Sequence, residues 1–108
     1  MDKRRYPRIV VRNMNVDVAD GIGSCSGTVS DVSRHGLCVR DLAVNVGRRA
    51  GSYTVVVSHG NRFFKFRARP RWERADRVYK RMGLEIAEAP ARWTDYVRSL
   101  EPVGPKRG

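Results

Sequence analysis

Polar and apolar residues alternate along most of this chain. The alternation breaks only at short clusters of glycine, asparagine and aspartate. Met14, Val16 and Val18 stand against Asn15 and Asp17, the period of two that marks a half-buried strand. Asp20-Gly21 follows, a strong hairpin signal, and Ser24 to Ser30 then reads as a second strand of small and β-branched residues. Gly36 to Arg40 reads as a third. Residues 41–51, with Gly47, Arg48, Arg49 and Gly51, read as a loop. "SYTVVVSH" is a fourth strand, closed by the turn His59-Gly60-Asn61. A long fifth strand runs from Arg62 to Glu73. Phe64, Phe66, Ala68, Pro70 and Trp72 fall on one side of it; Lys65, Arg67, Arg69 and Arg71 fall on the other. Pro70 removes a ladder donor, which predicts an edge or a bulge there. Ala75-Asp76 makes a turn, and Val78 to Ile86 is a sixth strand.

Only the C-terminal end carries a helical period. Trp93, Tyr96, Val97 and Leu100 recur at i, i+3, i+4 and i+7 behind Pro90, a residue suited to a first helical turn. Six short strands and one helix predict an all-β fold: a small antiparallel barrel flanked by a short C-terminal α-helix. The predicted organisation is a flexible basic arm over residues 1–8, the barrel and helix over 9–100, and a flexible tail over 101–108.

Charge narrows the class of partner. The chain has 108 residues and a formal net charge of +11 at pH 7, which favours an anionic partner: nucleic acid, a nucleotide or a lipid head group. No stretch has the roughly 20 apolar residues of a membrane span, so no membrane insertion is expected. The basic start is followed by only Ile9-Val10-Val11 before Arg12, too short for a secretory signal. A cytoplasmic protein is the expectation. Cys25 and Cys38 have neither zinc-site spacing nor the company of paired histidines, so they read as reduced structural thiols, and no metal is expected. The acids are scattered among arginines, with no nucleophile–base pair and no phosphate-cradling loop. The chain is therefore not expected to be an enzyme.

Two segments carry candidate chemistry. In "KRRYPR", Arg4 and Arg8 stand four apart around Pro7, which bars a helix and pushes Tyr6 toward extended geometry. In "DVSRHG", between the second and third strands, Asp31 and Ser33 are short turn-forming residues. Gly36 can supply a positive φ there, or allow a close approach. Arginine pairs with phosphate oxygens, takes guanine O6 and N7 bidentately and stacks on bases. An aspartate accepts where guanine donates.

Arg4-x-x-x-Arg8 followed by Asp31-x-Ser33-x-x-Gly36 resembles the paired motifs of the PilZ domain family, and "RMGLEI", residues 81–86, resembles its late strand. The resemblance spans roughly residues 3 to 100. It implies a six-stranded barrel that binds the second messenger cyclic di-GMP. Arg4 and Arg8 would take phosphate and guanine faces, Asp31 and Ser33 a guanine edge, and Gly36 would shape the turn. Lys3 and Arg5 are weaker candidates. Lys3 holds the position before the first motif that, in the family, bears on whether one ligand or a stacked pair is bound. Binding would fold the arm over the ligand, and a one-domain chain would deliver its output in trans to a protein partner, whether in motility, exopolysaccharide production or virulence.

Other readings stay open. Strand parity puts Trp72 beside Phe64 and Phe66, in the core; a bulge at Pro70 would reverse the parity and bring the ring outside, where it can stack on a guanine. His35 is expected to be exposed. A second reading is a small basic β-barrel binding RNA or single-stranded DNA through Phe64, Phe66, Trp72 and the Arg67–Arg71 stripe. A third is a PilZ-like protein adaptor without nucleotide.

Overall fold

The computed structural model describes residues 6–43 and 51–102. Its elements are β1 (Ile9–Val10), β2 (Met14–Ala19), β3 (Ser24–Ser33), β4 (Gly36–Ala43), β5 (Tyr53–His59), β6 (Arg62–Ala75), β7 (Tyr79–Ile86) and α1 (Ala91–Leu100). All strand pairings are antiparallel. The sheet order is β1-β3-β2-β5-β6-β7-β4, and a β3–β4 pairing closes six of these strands into a barrel. The predicted barrel and terminal helix are thus present, and β3, β4 and β6 run longer than their apolar alternation indicated. Of the loop expected over 41–51, residues 41–43 belong to β4, and 44–50 lie outside the described residues.

The alternation does what its period requires. Met14, Val16 and Val18 of β2, Val55 and Val57 of β5, and Phe64, Phe66 and Ala68 of β6 all point into one core. Asp20 closes the first hairpin by accepting from the backbone N–H of Ile22 and Gly23, with Gly21 at φ 97°. Asp76 closes the β6–β7 turn in the same way, accepting from Val78 and Tyr79, and these two N–H groups hold its carboxyl below the usual carboxylate range. Helix α1 lays Trp93 and Val97 into the core, where the Trp93 ring lies 5.4 Å from Phe64 and 5.1 Å from Phe66. Pro90 stands just outside the first turn as the N-cap, not within it; its carbonyl accepts from Trp93 and Thr94.

One short strand lay below sequence detection. β1 is two residues long and pairs Ile9 with Val32 and Val10 with Asp31. It runs along the same side of β3 as β2, which pairs with Ser24 to Thr28. The chain breaks between the two at Asn13, whose φ of 60° is left-handed, a conformation asparagine tolerates better than most residues. The consequence is positional. The N-terminal segment is delivered beside the far end of β3, where Asp31 and Ser33 stand.

Candidate functional site

"DVSRHG" is not the loop its sequence suggested. Asp31, Val32 and Ser33 are the last residues of β3, Arg34 and His35 form a tight turn, and Gly36 opens β4 directly opposite Ser33. A β-bulge at Ser30 shifts the β3–β4 register, so Val32 faces the core while Asp31 and Ser33 face outward. Of the two roles open to Gly36, the structure uses close approach: its φ is not positive, and an added Cβ would stand 2.9 Å from the Leu84 carbonyl oxygen.

The strand register sets out the site in rows across the outer surface. One row runs Arg69, Glu85, Gly36, Ser33; the next runs Trp72, Gly83, Cys38, Asp31. A cavity of about 480 Å³ lies over them, lined by Tyr6, Arg8, Ser33, His35, Gly36, Arg71, Trp72, Gly83, Leu84 and Glu85. Arg8 reaches its rim from β1's approach and donates from Nη1 to Asp31 Oδ1 at 2.6 Å. Both side chains are partly exposed, so the bond orients the guanidinium more than it stabilises the fold. Across the cavity Arg71 donates to Glu85 Oε1 at 3.0 Å, and Arg69 stands 3.5 Å from the same oxygen. Cationic edges thus face each other over a partly apolar floor.

Trp72 does not occupy the core. The ladder slips between Pro70 and Trp72, leaving Arg71 as the extra residue. The side chains beyond therefore swap faces, and Trp72 is 42% exposed. The physical cause is Pro70, which supplies no N–H for the ladder. The indole lies across Gly83: a Cβ there would meet Trp72 Nε1 at 2.2 Å and ring carbons at 2.6 and 2.7 Å. Only glycine leaves the ring room to lie flat.

Tyr6 is held from two sides. The Arg34 guanidinium carbon sits 4.6 Å from its ring centroid, and the exposed His35 ring lies 5.3 Å away. Arg34 also makes a two-point bond to Glu101, Nε to Oε2 at 2.8 Å and Nη2 to Oε1 at 2.7 Å, across 67 positions of sequence. That bond holds the Glu101 carboxyl below its ordinary range and the guanidinium above its own. The segment before β1, the β3–β4 turn and the end of α1 are therefore joined through Arg34.

Among the described residues, the structure brings together Arg8, Asp31, Ser33, Gly36 and Trp72. Lys3, Arg4 and Arg5 lie outside the described residues. Sequence reading missed Tyr6, Arg71, Gly83 and Glu85 as lining residues, and His35 lines the cavity as well as being exposed. Pro70 was the available signal for Arg71. Nothing local announces Glu85, whose importance comes from its cross-strand neighbours Arg69 and Gly36. No group of three or more histidine, cysteine or acidic side chains suited to a metal occurs among the described residues. Cys25 and Cys38 are free thiols. Among the described residues, no helix is long and apolar enough to cross a membrane.

A protein-family model described as "PilZ domain" matches residues 2–97. No curated protein matches the chain by sequence. Several solved structures are similar in fold. The Bacillus subtilis inhibitor of motility (MotI/DgrA) aligns with a TM-score of 0.72 and 20% identity, covering 100% of this chain and 55% of that one. The Borreliella burgdorferi PlzA protein in complex with c-di-GMP aligns at 0.69 and 16% identity, covering 89% of this chain and 50% of that one. The PilZ domain with c-di-GMP of YcgR from Escherichia coli aligns at 0.67 and 16% identity, covering 92% of each chain. The chain thus spans about half the length of the first two.

Proposed function

We propose that this chain, which belongs to the PilZ domain family, is a receptor for cyclic di-GMP. The observation that carries the proposal is the convergence of Arg8, Asp31, Ser33 and Gly36 with Trp72 on one outer face of the barrel. The solved complexes of PlzA and of the YcgR PilZ domain, similar in fold, contain this ligand.

The chemistry follows from the donors and acceptors present. Arg8, oriented by Asp31, offers a planar fork to a phosphate or to guanine O6 and N7. Asp31 keeps its second oxygen as an acceptor for guanine's N1–H and exocyclic amine, which adenine does not match. Ser33 both donates and accepts. Gly36 keeps the floor low, and the exposed indole of Trp72 offers a face for a base. Arg4, four residues before Arg8, adds a second guanidinium when residues 1–8 fold over the ligand. Lys3 and Arg5 add charge, and the ordering cost is offset by charge-assisted bonds. The rearranged surface then acts on a protein partner in trans, in the cytoplasm.

Binding of RNA or single-stranded DNA through Phe64, Phe66 and Trp72 is less well supported, because Phe64 and Phe66 are only 3% and 6% exposed. Titration calorimetry tests the receptor reading. Cyclic di-GMP is expected to bind, cyclic di-AMP to bind at least about tenfold more weakly, and Arg8→Ala and Ser33→Ala each to weaken cyclic di-GMP by about tenfold or more. Absence of binding, or equal affinity in both variants, overturns the assignment.

A further inference from the structure

The outward rows of the barrel continue past the site just described. Beyond Trp72 on β6 comes Arg74, directly opposite Arg81 on β7. Arg81 in turn faces the β4 bulge that carries Arg40, between the pairs Val39–Met82 and Leu42–Lys80. Three guanidinium groups therefore stand in line across three neighbouring strands. Like charges directly opposite one another on antiparallel strands work against the fold.

Five other cations are supplied with acids. Arg8 has Asp31, Arg34 has Glu101, Arg69 and Arg71 share Glu85, and Lys80 has Glu73. The side chains of Arg74 and Arg81 have no hydrogen-bond, ion-pair or ring partner among the described residues. Arg40 has, among the described residues, only Asp41 at 4.0 Å. The unneutralised pair opens onto a cavity of about 390 Å³ whose remaining wall is Trp72. A further cavity of about 550 Å³ joins both arginines to Arg40, with Lys80 and the carboxylates of Asp41 and Asp76 also in its lining. Trp72 thus borders the proposed ligand cavity on one side and the arginine row on the other.

We propose that Arg74 and Arg81, with Arg40, form a second anion subsite that takes a phosphate carried beyond a base lying on Trp72. The inference deepens the receptor reading and rests on it only for the identity of the ligand. Guanidinium groups held by strand backbones are well placed for phosphate oxygens, and the mutual repulsion of Arg74 and Arg81 is relieved when an anion lies between them. Two ligands carry the required chemistry: the cyclic dinucleotide itself, and a linear single-stranded nucleic acid crossing the same ring.

The test uses the full chain and two double variants of equal charge change. Arg74→Ala with Arg81→Ala removes the subsite; Lys65→Ala with Arg98→Ala removes two exposed cations elsewhere. Each is titrated with cyclic di-GMP and with a short labelled oligodeoxyadenylate over a range of salt. The R74A/R81A protein is expected to bind at least one ligand about tenfold more weakly, with its salt slope reduced by about one or more, while the K65A/R98A protein stays within about twofold of the parent. The arm that loses affinity identifies the ligand. Melting temperature should hold or rise in R74A/R81A, since a repulsive pair is removed. Affinities within about twofold in both arms, or equal losses in the two double variants, overturn the proposal. If the parent chain fails to bind cyclic di-GMP, the receptor reading falls while the subsite is decided by the oligonucleotide arm; a parent that binds neither ligand overturns both.

Discussion

Replacing Gly83 with alanine tests the link between strand register and ligand recognition. The new methyl would fall 2.2 Å from Trp72 Nε1, 2.6 Å from Cε2 and 2.7 Å from Cδ1. Carbon contacts prefer about 3.5–4.0 Å, so the three ring atoms overlap the methyl by about 0.8–1.8 Å. The backbone of β7 is clamped between β6 and β4, whereas the indole is 42% exposed, so the ring is what yields. Lifting it re-exposes roughly 60–80 Å² of apolar surface, a cost of about 1.5–2 kcal/mol at 25 cal/mol per Å². The barrel core is untouched, so the variant is expected to stay folded. Acrylamide quenching reads the ring directly: Trp93 is fully buried, and added quenching therefore reports Trp72. Cyclic di-GMP affinity should fall about five- to 150-fold if a base stacks on the ring, from the roughly 1–3 kcal/mol of such contacts. The clash vanishes without the ring, so Gly83→Ala should cost nothing further in a Trp72→Ala background. Unchanged quenching, or additive stability costs in the double variant, would refute the reasoning.

Three further outcomes are expected. Gly36→Ala puts a Cβ 2.9 Å from the Leu84 carbonyl oxygen, a backbone atom that cannot swing aside, and should destabilise by about 1–3 kcal/mol in urea with an unchanged m-value; an unshifted midpoint refutes this. Glu101 is held below its ordinary pKa chiefly by its hydrogen bond to Arg34, so the folded state binds that proton more weakly than the unfolded chain. The stabilisation is complete above the ordinary carboxylate pKa and is lost as pH falls through the lowered value, so the parent should lose stability more steeply than Glu101→Gln below about pH 4.5, and parallel curves count against it. Trp93 Nε1 is buried without an acceptor among the described residues, so Trp93→Phe should cost less than about 2 kcal/mol against about 3–5 for Trp93→Ala; equal costs in denaturation would show that the unpaired N–H matters little.

The strands were legible because their period of two survives in any barrel that buries one face. Val16, Val55 and Phe64 declared their side before any partner was known. The helix was legible for the same reason at a different period. Arg8, Asp31, Ser33 and Gly36 were found as motifs, although the segment from Asp31 looked like a loop. Its polar residues alternate around a single buried valine, and a bulge at Ser30 interrupts the strand pattern just before them. Trp72 could not be given a face from the sequence: parity carried through Pro70 puts it in the core, and a bulge there puts it outside. A single extra residue in a ladder reverses every side chain beyond it, and only the partner strand reveals where that residue sits.

By itself, then, the chain determined its fold class, its excess of positive charge and the two short motifs, since all of these are properties of residue order within a few positions. The tertiary structure decided which residues face one another. It set β1 against β3 so that Arg8 meets Asp31, brought Trp72 down onto Gly83, gave Glu85 to Arg69 and Arg71, and lined up Arg40, Arg74 and Arg81. Each depends on the register between strands distant in sequence, which bulges and closure of the barrel set and no local pattern encodes.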